Sequence, residues 1–217
     1  MKKDFWLERW ERAEIGFHQD EINQYLAHYW PRLDTTPGST VFVPLCGKSR
    51  DMIWLRDQGH EVVGVEFSPV AVRAFFEENG LEPVISCREG FDQCEAGHIR
   101  LLCGDFFDLT RNDLQDVKAV FDRASLVALP PEMREKYANH MLKILPHDTQ
   151  ILLITFEYDQ SRMSGPPFAV TREEVYKLYS EATAVELLAH IDTLDDNQRF
   201  RARGLDHLFE NIFRITV

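Results

Sequence analysis

Cysteine is scarce in this sequence, and its few thiols form no recognisable metal-binding or disulfide pattern. The four lie at Cys46, Cys87, Cys94 and Cys103, without a Cys-x-x-Cys pair and without a histidine pair at zinc-ligand spacing. The pattern therefore excludes a zinc site and predicts a protein that binds no metal.

Long apolar runs are missing as well. Residues 151–154 form one of the longest, which is far too short to span a bilayer. Residues 1–6 are charged and amphipathic, unlike the apolar core of a secretory signal. We therefore expect a cytoplasmic protein with reduced cysteines and no membrane partner.

Positive charge is in short supply. The 24 lysines and arginines are outnumbered by 36 aspartates and glutamates, which gives a formal net charge of −12. Because nucleic-acid backbones are held by clustered basic side chains, this balance argues against nucleic acid as a partner. The basic cluster at residues 199–203 fits a small anionic or electron-rich substrate better.

What the chain does contain is the alternation of an α/β domain. Its 217 residues, 44% of them hydrophobic, suit one large buried core. Helical periodicity separates short, nearly continuous apolar runs, which is typical of a parallel sheet covered on both faces. The predicted strands are 40–43, 61–65, 99–102, 119–121, 150–156, 185–191 and 208–216, and the predicted helices are 49–58, 69–79, 132–145 and 171–181.

These elements predict a doubly wound, mostly parallel seven-stranded sheet with helices on both faces, in which at least one of the last two strands is antiparallel. The α/β core occupies residues 37–217. Residues 1–36 precede the sheet and are rich in aromatics, so we expect a helical lid over the strand ends, where ligands bind. Residues 1–217 then form one domain, which we expect to be monomeric.

The first two predicted strand ends suggest a nucleoside cofactor. Residues 43–49 form a short loop with one glycine, Gly47, and match neither Gly-x-Gly-x-x-Gly nor a P-loop. Glu66 ends the next strand, at the position where an acidic side chain accepts hydrogen bonds from both hydroxyls of an adenosine ribose. The pair does not distinguish NAD from S-adenosylmethionine.

The third and fourth strand ends carry further polar residues. Asp105 suits the exocyclic amine of an adenine, and the ring of Phe106 suits its face, although packing in the core is the alternative for Phe106. Asp122 and Arg123 end the fourth strand. In a methyltransferase this position borders both the sulfonium and the acceptor, and we expect Asp122 to hold Arg123 in place.

With these residues in view, the sequence resembles the thiopurine S-methyltransferase family over nearly its whole length. The segments that carry the resemblance are Trp-Leu-Glu-Arg-Trp at 6–10, Ile-Gly-Phe-His at 15–18, Val-Pro-Leu-Cys-Gly-Lys-Ser at 43–49, Gly-Val-Glu at 64–66, Cys-Gly-Asp-Phe-Phe-Asp-Leu at 103–109, Phe-Asp-Arg-Ala at 121–124, Glu-Tyr-Asp at 157–159, Gly-Pro-Pro-Phe at 165–168, Gly-Leu-Asp at 204–206 and Leu-Phe-Glu at 208–210. The resemblance implies a Rossmann-like class I methyltransferase that uses S-adenosylmethionine to methylate the sulfur of aromatic or heterocyclic thiols such as thiopurines.

The resemblance also implies the residues of the site. The methyl donor would contact Trp10, Leu45, Glu66, Asp105, Phe106 and Arg123. The acceptor would face Phe17, Arg123 and Arg199, and Arg201 and Arg203 are alternatives to Arg199.

The expected chemistry needs no general base, because an aromatic thiol is acidic enough to be largely anionic near neutral pH. Arg123, the expected catalytic residue, favours the thiolate by its charge together with Arg199. His18 is expected to be packed or exposed, and a proton relay is the alternative. Three other functions stay open: methylation of selenium or tellurium species or another small thiol, nicotinamide-dependent oxidoreduction, and cofactor binding without catalysis.

Overall fold

The structure, a computed structural model, describes residues 3–217, so Met1 and Lys2 of the predicted lid lie outside the described residues. The described chain folds around one mixed sheet. Its strands are β1 (Thr40–Val43), β2 (Glu61–Glu66), β3 (Val84–Arg88), β4 (Phe91–Ala96), β5 (Ile99–Cys103), β6 (Val117–Arg123), β7 (Gln150–Glu157), β8 (Ala184–Asp192) and β9 (Phe209–Thr216).

The sheet has the order β3-β4-β5-β2-β1-β6-β7-β9-β8. Strands β4 and β9 are antiparallel to both of their neighbours, whereas the other neighbouring strands pair in parallel. The strand order reverses between β1 and β6, and doubly wound sheets bind their ligands at such a reversal. The predicted α/β fold, mostly parallel with an antiparallel strand near the end of the chain, is confirmed.

The predicted number of strands is wrong. The sheet of the described residues has nine strands rather than seven, because β3 and β4 form a hairpin beyond β5 that the sequence does not reveal. The side chains of β3 lie at the edge of the sheet, and Val84 and Ile85 are 74% and 67% exposed. A strand that buries neither face lacks the apolar pattern on which the prediction depends.

Helices cover both faces of the sheet. They are α1 (Lys3–Glu11), α2 (Gln24–Tyr29), α3 (Asp51–Asp57), α4 (Pro69–Glu78), α5 (Pro131–Ile144), α6 (Arg172–Leu178) and α7 (Gln198–Arg201). Ser68 caps α4 and Pro69 occupies its first position, as the sequence predicts. Helices α5 and α6 pack into one apolar core, and α2, α3 and α4 pack into a second. None of the helices in the described chain is long and apolar enough to cross a membrane.

The segment before the sheet divides into two parts. Helix α2 belongs to the second core, where Leu26 and Trp30 are buried, and the Trp30 indole donates to Nε2 of His60 at 3.1 Å. Helix α1 and residues 14–17 instead lie against the ends of the central strands. The carboxyl ends of β1, β2, β5 and β6 and this first segment together enclose the cavity described next.

Candidate active site

A large cavity lies at the carboxyl ends of the parallel strands. Its volume is about 330 Å³, and its wall is mostly apolar and aromatic. Every residue that the sequence analysis assigned to the site lines it: Trp10, Phe17, Leu45, Glu66, Asp105, Phe106, Arg123 and Arg199. The fold therefore brings together residues from the first segment, four strand ends and α7.

The carboxylate of Glu66 holds together two loops at one end of the cavity. Its Oε2 accepts the Gly47 N–H at 2.9 Å, and its Oε1 accepts the Ser68 N–H at 2.8 Å. Glu66 is buried, and burial raises the pKa of this carboxyl to about 7, although the backbone N–H donors oppose the shift. The Phe67 N–H also acts on this carboxylate, and because its two oxygens have four lone pairs, capacity for a further donor remains.

Gly47 allows the first segment to come close to this loop. Its φ of 52° lies in the left-handed region, and a Cβ on Gly47 would lie 3.0 Å from the Trp10 ring. Trp10 is itself buried and packs edge-on against Phe17, with 5.5 Å between ring centroids. The indole of Trp10 therefore packs on the loop after β1 and covers it.

Phe106 belongs to both the core and the cavity wall. Its ring is stacked on Tyr137 of α5, with 4.7 Å between centroids and 28° between planes. Asp105 caps the short 3-10 helix that follows, because its Oδ1 accepts the Phe107 N–H at 2.9 Å. Phe106 therefore packs in the core and also lines the cavity, and its contact with an adenine stays a prediction.

Asp122 does not hold Arg123, and this expectation is wrong. The Tyr137 hydroxyl donates to Oδ2 of Asp122 at 2.8 Å, and Asp122 is fully buried. Burial raises the pKa of Asp122 to about 6. Asp122 thus holds the ring on which Phe106 is stacked, and Tyr137 is a cavity residue that sequence reasoning missed.

Two arginines, Arg123 and Arg199, line the cavity beside the first segment, and this part of the wall is its arginine end. Nη2 of Arg123 donates to the Phe17 carbonyl at 3.4 Å, and Nη1 of Arg199 donates to the Gly16 carbonyl. Throughout residues 3–217, no carboxylate lies within ion-pair distance of either guanidinium. Both cations therefore contact the backbone of the first segment while keeping their charge unpaired.

The surroundings of Arg123 combine burial with distant charges. Burial lowers the pKa of Arg123, Asp51 and Glu210 raise it, and Arg199 lowers it. Glu210 is itself half-buried, and burial raises the pKa of its carboxyl. A guanidinium that has lost much of its hydration without gaining a close carboxylate is a strong site for an anion.

Other wall residues were quoted in the sequence only as parts of motifs. Trp6 packs on Phe17 with 5.5 Å between ring centroids, and the Pro166–Pro167 pair of the Gly-Pro-Pro-Phe segment lines the cavity. Phe200 of α7 completes the same wall. Their aromatic and apolar character was visible in the sequence, but their meeting point was not.

Known proteins with similar sequences decide which family this site belongs to. The whole chain, residues 1–217, matches the family described as Thiopurine S-methyltransferase (TPMT). The chain is also 61% identical over 213 residues to a thiopurine S-methyltransferase of Nitrosospira multiformis, which covers 98% of this chain and 97% of that relative. The chain belongs to the thiopurine S-methyltransferase family.

Further relatives agree with this membership. A thiopurine S-methyltransferase of Methylococcus capsulatus is 49% identical over 214 residues, which is 98% of this chain and 96% of that relative. Among solved structures, the 1,6-didemethyltoxoflavin-N1-methyltransferase of Burkholderia thailandensis matches with a TM-score of 0.64 and 16% identity, over 99% of this chain and 87% of that one. At that identity the likeness shows the fold alone. The predicted family and the Rossmann-like methyltransferase fold are confirmed.

His18 does not line the large cavity that holds the other candidate residues. It borders a small cavity of about 40 Å³ beside Arg123, and burial and the nearby charge of Lys48 lower its pKa. A neutral imidazole at neutral pH follows from that direction. His18 is half-buried, so it fits the expected packed histidine, and its proton-relay alternative stays a prediction.

Cys46 is buried in the loop after β1 and is not activated. Burial raises the pKa of its thiol well above the ordinary value, and the charge of Glu66 adds to this shift. A thiolate nucleophile needs the opposite shift. Cys46 instead fills space next to Gly64, where a Cβ would lie 2.8 Å from its Sγ.

Proposed function

We propose that this protein transfers the methyl group of S-adenosylmethionine to the sulfur of an aromatic or heterocyclic thiol such as a thiopurine. One observation carries the proposal: a single aromatic-walled cavity has a buried carboxylate, Glu66, at one end and two unpaired arginines, Arg123 and Arg199, at the other. A cationic nucleoside donor and an anionic aromatic acceptor complement these two ends.

The donor fits the end formed by the strands. Glu66 accepts hydrogen bonds from the two ribose hydroxyls with the lone pairs that Gly47 and Ser68 leave free. Asp105 faces the adenine amine and Phe106 lies against the base. Leu45 and Trp10 cover the donor from the side of the first loop, and the aromatic ring of Trp10 also suits a sulfonium.

The acceptor fits the arginine end. Arg123 and Arg199 favour the thiolate over the thiol, so the proton leaves to solvent before transfer and no general base is needed. Phe17 and the neighbouring aromatic rings position the acceptor ring and exclude water. When bound, S-adenosylmethionine supplies a sulfonium methyl, whose bond to the donor sulfur breaks while the acceptor sulfur forms its new bond to carbon.

The remaining features of the proposal concern the whole protein. We propose one monomeric domain, residues 1–217, in which residues 1–36 cover an α/β core of residues 37–217. The four cysteines are free thiols, which suits the reducing cytoplasm. The net charge of −12 suits a small-molecule acceptor better than a nucleic acid or an anionic membrane surface. The transfer itself needs no metal, because the donor is already activated.

Mass spectrometry of the acceptor tests this function. The protein is incubated with methyl-deuterated S-adenosylmethionine and, in separate reactions, a thiopurine, thiophenol, an aromatic selenol, an alkanethiol and an aromatic alcohol. We expect labelled methyl sulfides from the thiopurine and thiophenol. Labelling of the selenol or alkanethiol alone would move the acceptor to the selenium, tellurium or small-thiol alternative, and no labelling at all would contradict methyl transfer to these acceptors.

A further inference from the structure

The acceptor end of the cavity contains a third arginine that the proposed methyl transfer does not use. Arg203 follows α7 and lines the same cavity as Arg123 and Arg199. The sequence alone offered Arg203 as an alternative to Arg199. In the folded chain the two residues occupy the wall together, which raises the question of what the second one binds.

Arg203 forms no ion pair with an acidic residue of the described chain. Within residues 3–217 no carboxylate lies at ion-pair distance from it, and its Nη1 donates to Met163 Sδ at 3.5 Å, a weak acceptor. Arg201, two residues earlier, differs in both respects, since it pairs with Asp195 and does not line the cavity. In a chain with net charge −12, an arginine on the cavity wall without a carboxylate is available to an anion of a ligand.

The neighbourhood of Arg203 favours an anion that is carried by an aromatic body. Arg199 lies close enough that the charge of Arg203, after burial, lowers its pKa. Two guanidiniums that repel each other are both stabilised by an anion between them, and a planar carboxylate matches their donor geometry. Phe200 and Pro167 provide apolar surface beside them.

We infer that Arg203, together with Arg199, binds a carboxylate on the acceptor, so that among the aromatic thiols it methylates the protein prefers those that carry a second anionic group. The inference rests on the proposed function and names a narrower class of acceptor for the same site. Arg123, which is less exposed than the other two arginines, then faces the thiolate, and the charge of Arg199 acts on both Arg123 and Arg203. Arg203 is a specificity-determining residue in this arrangement.

Two matched acceptors test the inference. The first is 4-mercaptobenzoate, and the second is its methyl ester, which keeps the ring and the thiol but lacks the charge. The value of kcat/KM is measured for both in the wild type and in the variants Arg203→Gln, Arg203→Lys and Arg201→Gln. The Arg203→Gln variant should lose about tenfold with the carboxylate, as expected when a charged hydrogen bond is removed, and less than about twofold with the ester.

The other variants supply the controls. Arg203→Lys should recover part of the loss because it keeps the charge without the planar fork, and Arg201→Gln should change neither value. Equal losses for the two acceptors, or no loss for the carboxylate, would overturn the role of Arg203. Thermal melts check that the variants fold, which we expect because Arg203 is exposed at the rim.

A binding measurement separates this inference from the proposed function. If the wild type methylates neither of these thiols and also fails with the thiopurine and thiophenol, the proposed function fails. The products 4-(methylsulfanyl)benzoate and its methyl ester are then titrated in the presence of S-adenosylhomocysteine, with tryptophan fluorescence as the signal, because Trp6 and Trp10 line the cavity. A Kd for the carboxylate that rises about tenfold in Arg203→Gln supports the carboxylate subsite, and an unchanged Kd overturns it.

Discussion

The donor end and the acceptor end of the cavity are held together in different ways. At the donor end, Glu66 bonds to the backbone of Gly47 and Ser68, so the contacts join loops at neighbouring strand ends of one sheet. At the acceptor end, Arg199 bonds to the carbonyl of Gly16, 183 residues away in the chain. The hydrogen bonds of Glu66 at the donor end therefore form with the sheet alone, and the first segment adds only Trp10 there, whereas both arginines of the acceptor end bond to the first segment.

Removing the first segment should have the largest effect of the changes considered, and it should harm the acceptor end more than the sheet. Deleting residues 1–18 takes away Trp10 and Phe17 but leaves every strand, so we expect a folded sheet that has lost turnover by about 100-fold or more, because positioning and exclusion of water are lost. Circular dichroism and the methylation assay measure the two properties. The substitution Trp10→Ala should cause a large part of the same loss, and Arg12→Ala in the exposed turn after α1 should cause none. A fully active truncation would refute the lid.

A change at Glu66 should affect the donor end alone. Glu66→Gln should weaken S-adenosylhomocysteine binding by about tenfold to a hundredfold, because charged hydrogen bonds to the ribose are lost. Calorimetric titration measures the Kd. The control is Glu61→Gln on the exposed start of the same strand. An unchanged Kd would remove Glu66 from the donor site.

The raised pKa of Glu66 also predicts that the stability of Glu66→Gln depends on pH differently from that of the wild type. A carboxyl with a pKa of about 7 in the folded protein and an ordinary value of 4.5 binds its proton more tightly when folded. Its contribution to stability is therefore complete below about pH 4.5 and is lost as the pH rises through about 7. Thermal melts across that range should show a smaller decline in Glu66→Gln than in the wild type. Parallel declines would mean that Glu66 titrates normally.

The smallest expected effect concerns Tyr137, whose ring packs against Phe106 at the donor end. Tyr137→Phe keeps the ring that is stacked on Phe106 but removes the hydroxyl that bonds Asp122, so we expect a loss of about 1–3 kcal/mol in the free energy of unfolding. The effect on the Kd for S-adenosylhomocysteine should be only a few-fold, since the ring remains. Urea unfolding measures the first value, and Tyr176→Phe, on the exposed side of α6, is the control. A stability equal to that of the wild type would contradict the role given to Asp122.

The contrast between the donor end and the acceptor end also explains which parts of the structure the sequence could predict. The strands and Glu66 have local signatures, because buried parallel strands form apolar runs and their ends carry the polar residues. The β3–β4 hairpin has no such signature, since Val84 and Ile85 are exposed. The hydrogen bond between Tyr137 and Asp122 forms only after α5 packs on the sheet, so no local sequence pattern predicts it.

The acceptor end was predicted by resemblance rather than by chemistry. Nothing in the spacing of Phe17 and Arg199 indicates that they line one cavity, because their positions depend on how the first and last segments fold over the sheet. The Arg199–Arg203 pair could be recognised as two wall residues only in the folded chain.

The central claim is that Arg123 favours the acceptor thiolate by its charge. It is tested most directly by kcat/KM against pH for 4-nitrothiophenol, a stronger acid, and 4-methoxythiophenol, a weaker one, in the wild type, Arg123→Ala and Arg123→Lys. We expect Arg123→Ala to lose about tenfold to a thousandfold with the weaker acid, to lose less with the stronger one, and to regain part of the loss as the pH rises. Arg123→Lys should lie between wild type and Arg123→Ala. An equal loss for both thiols at every pH would contradict the claim and leave Arg123 only a role in holding the donor or the fold.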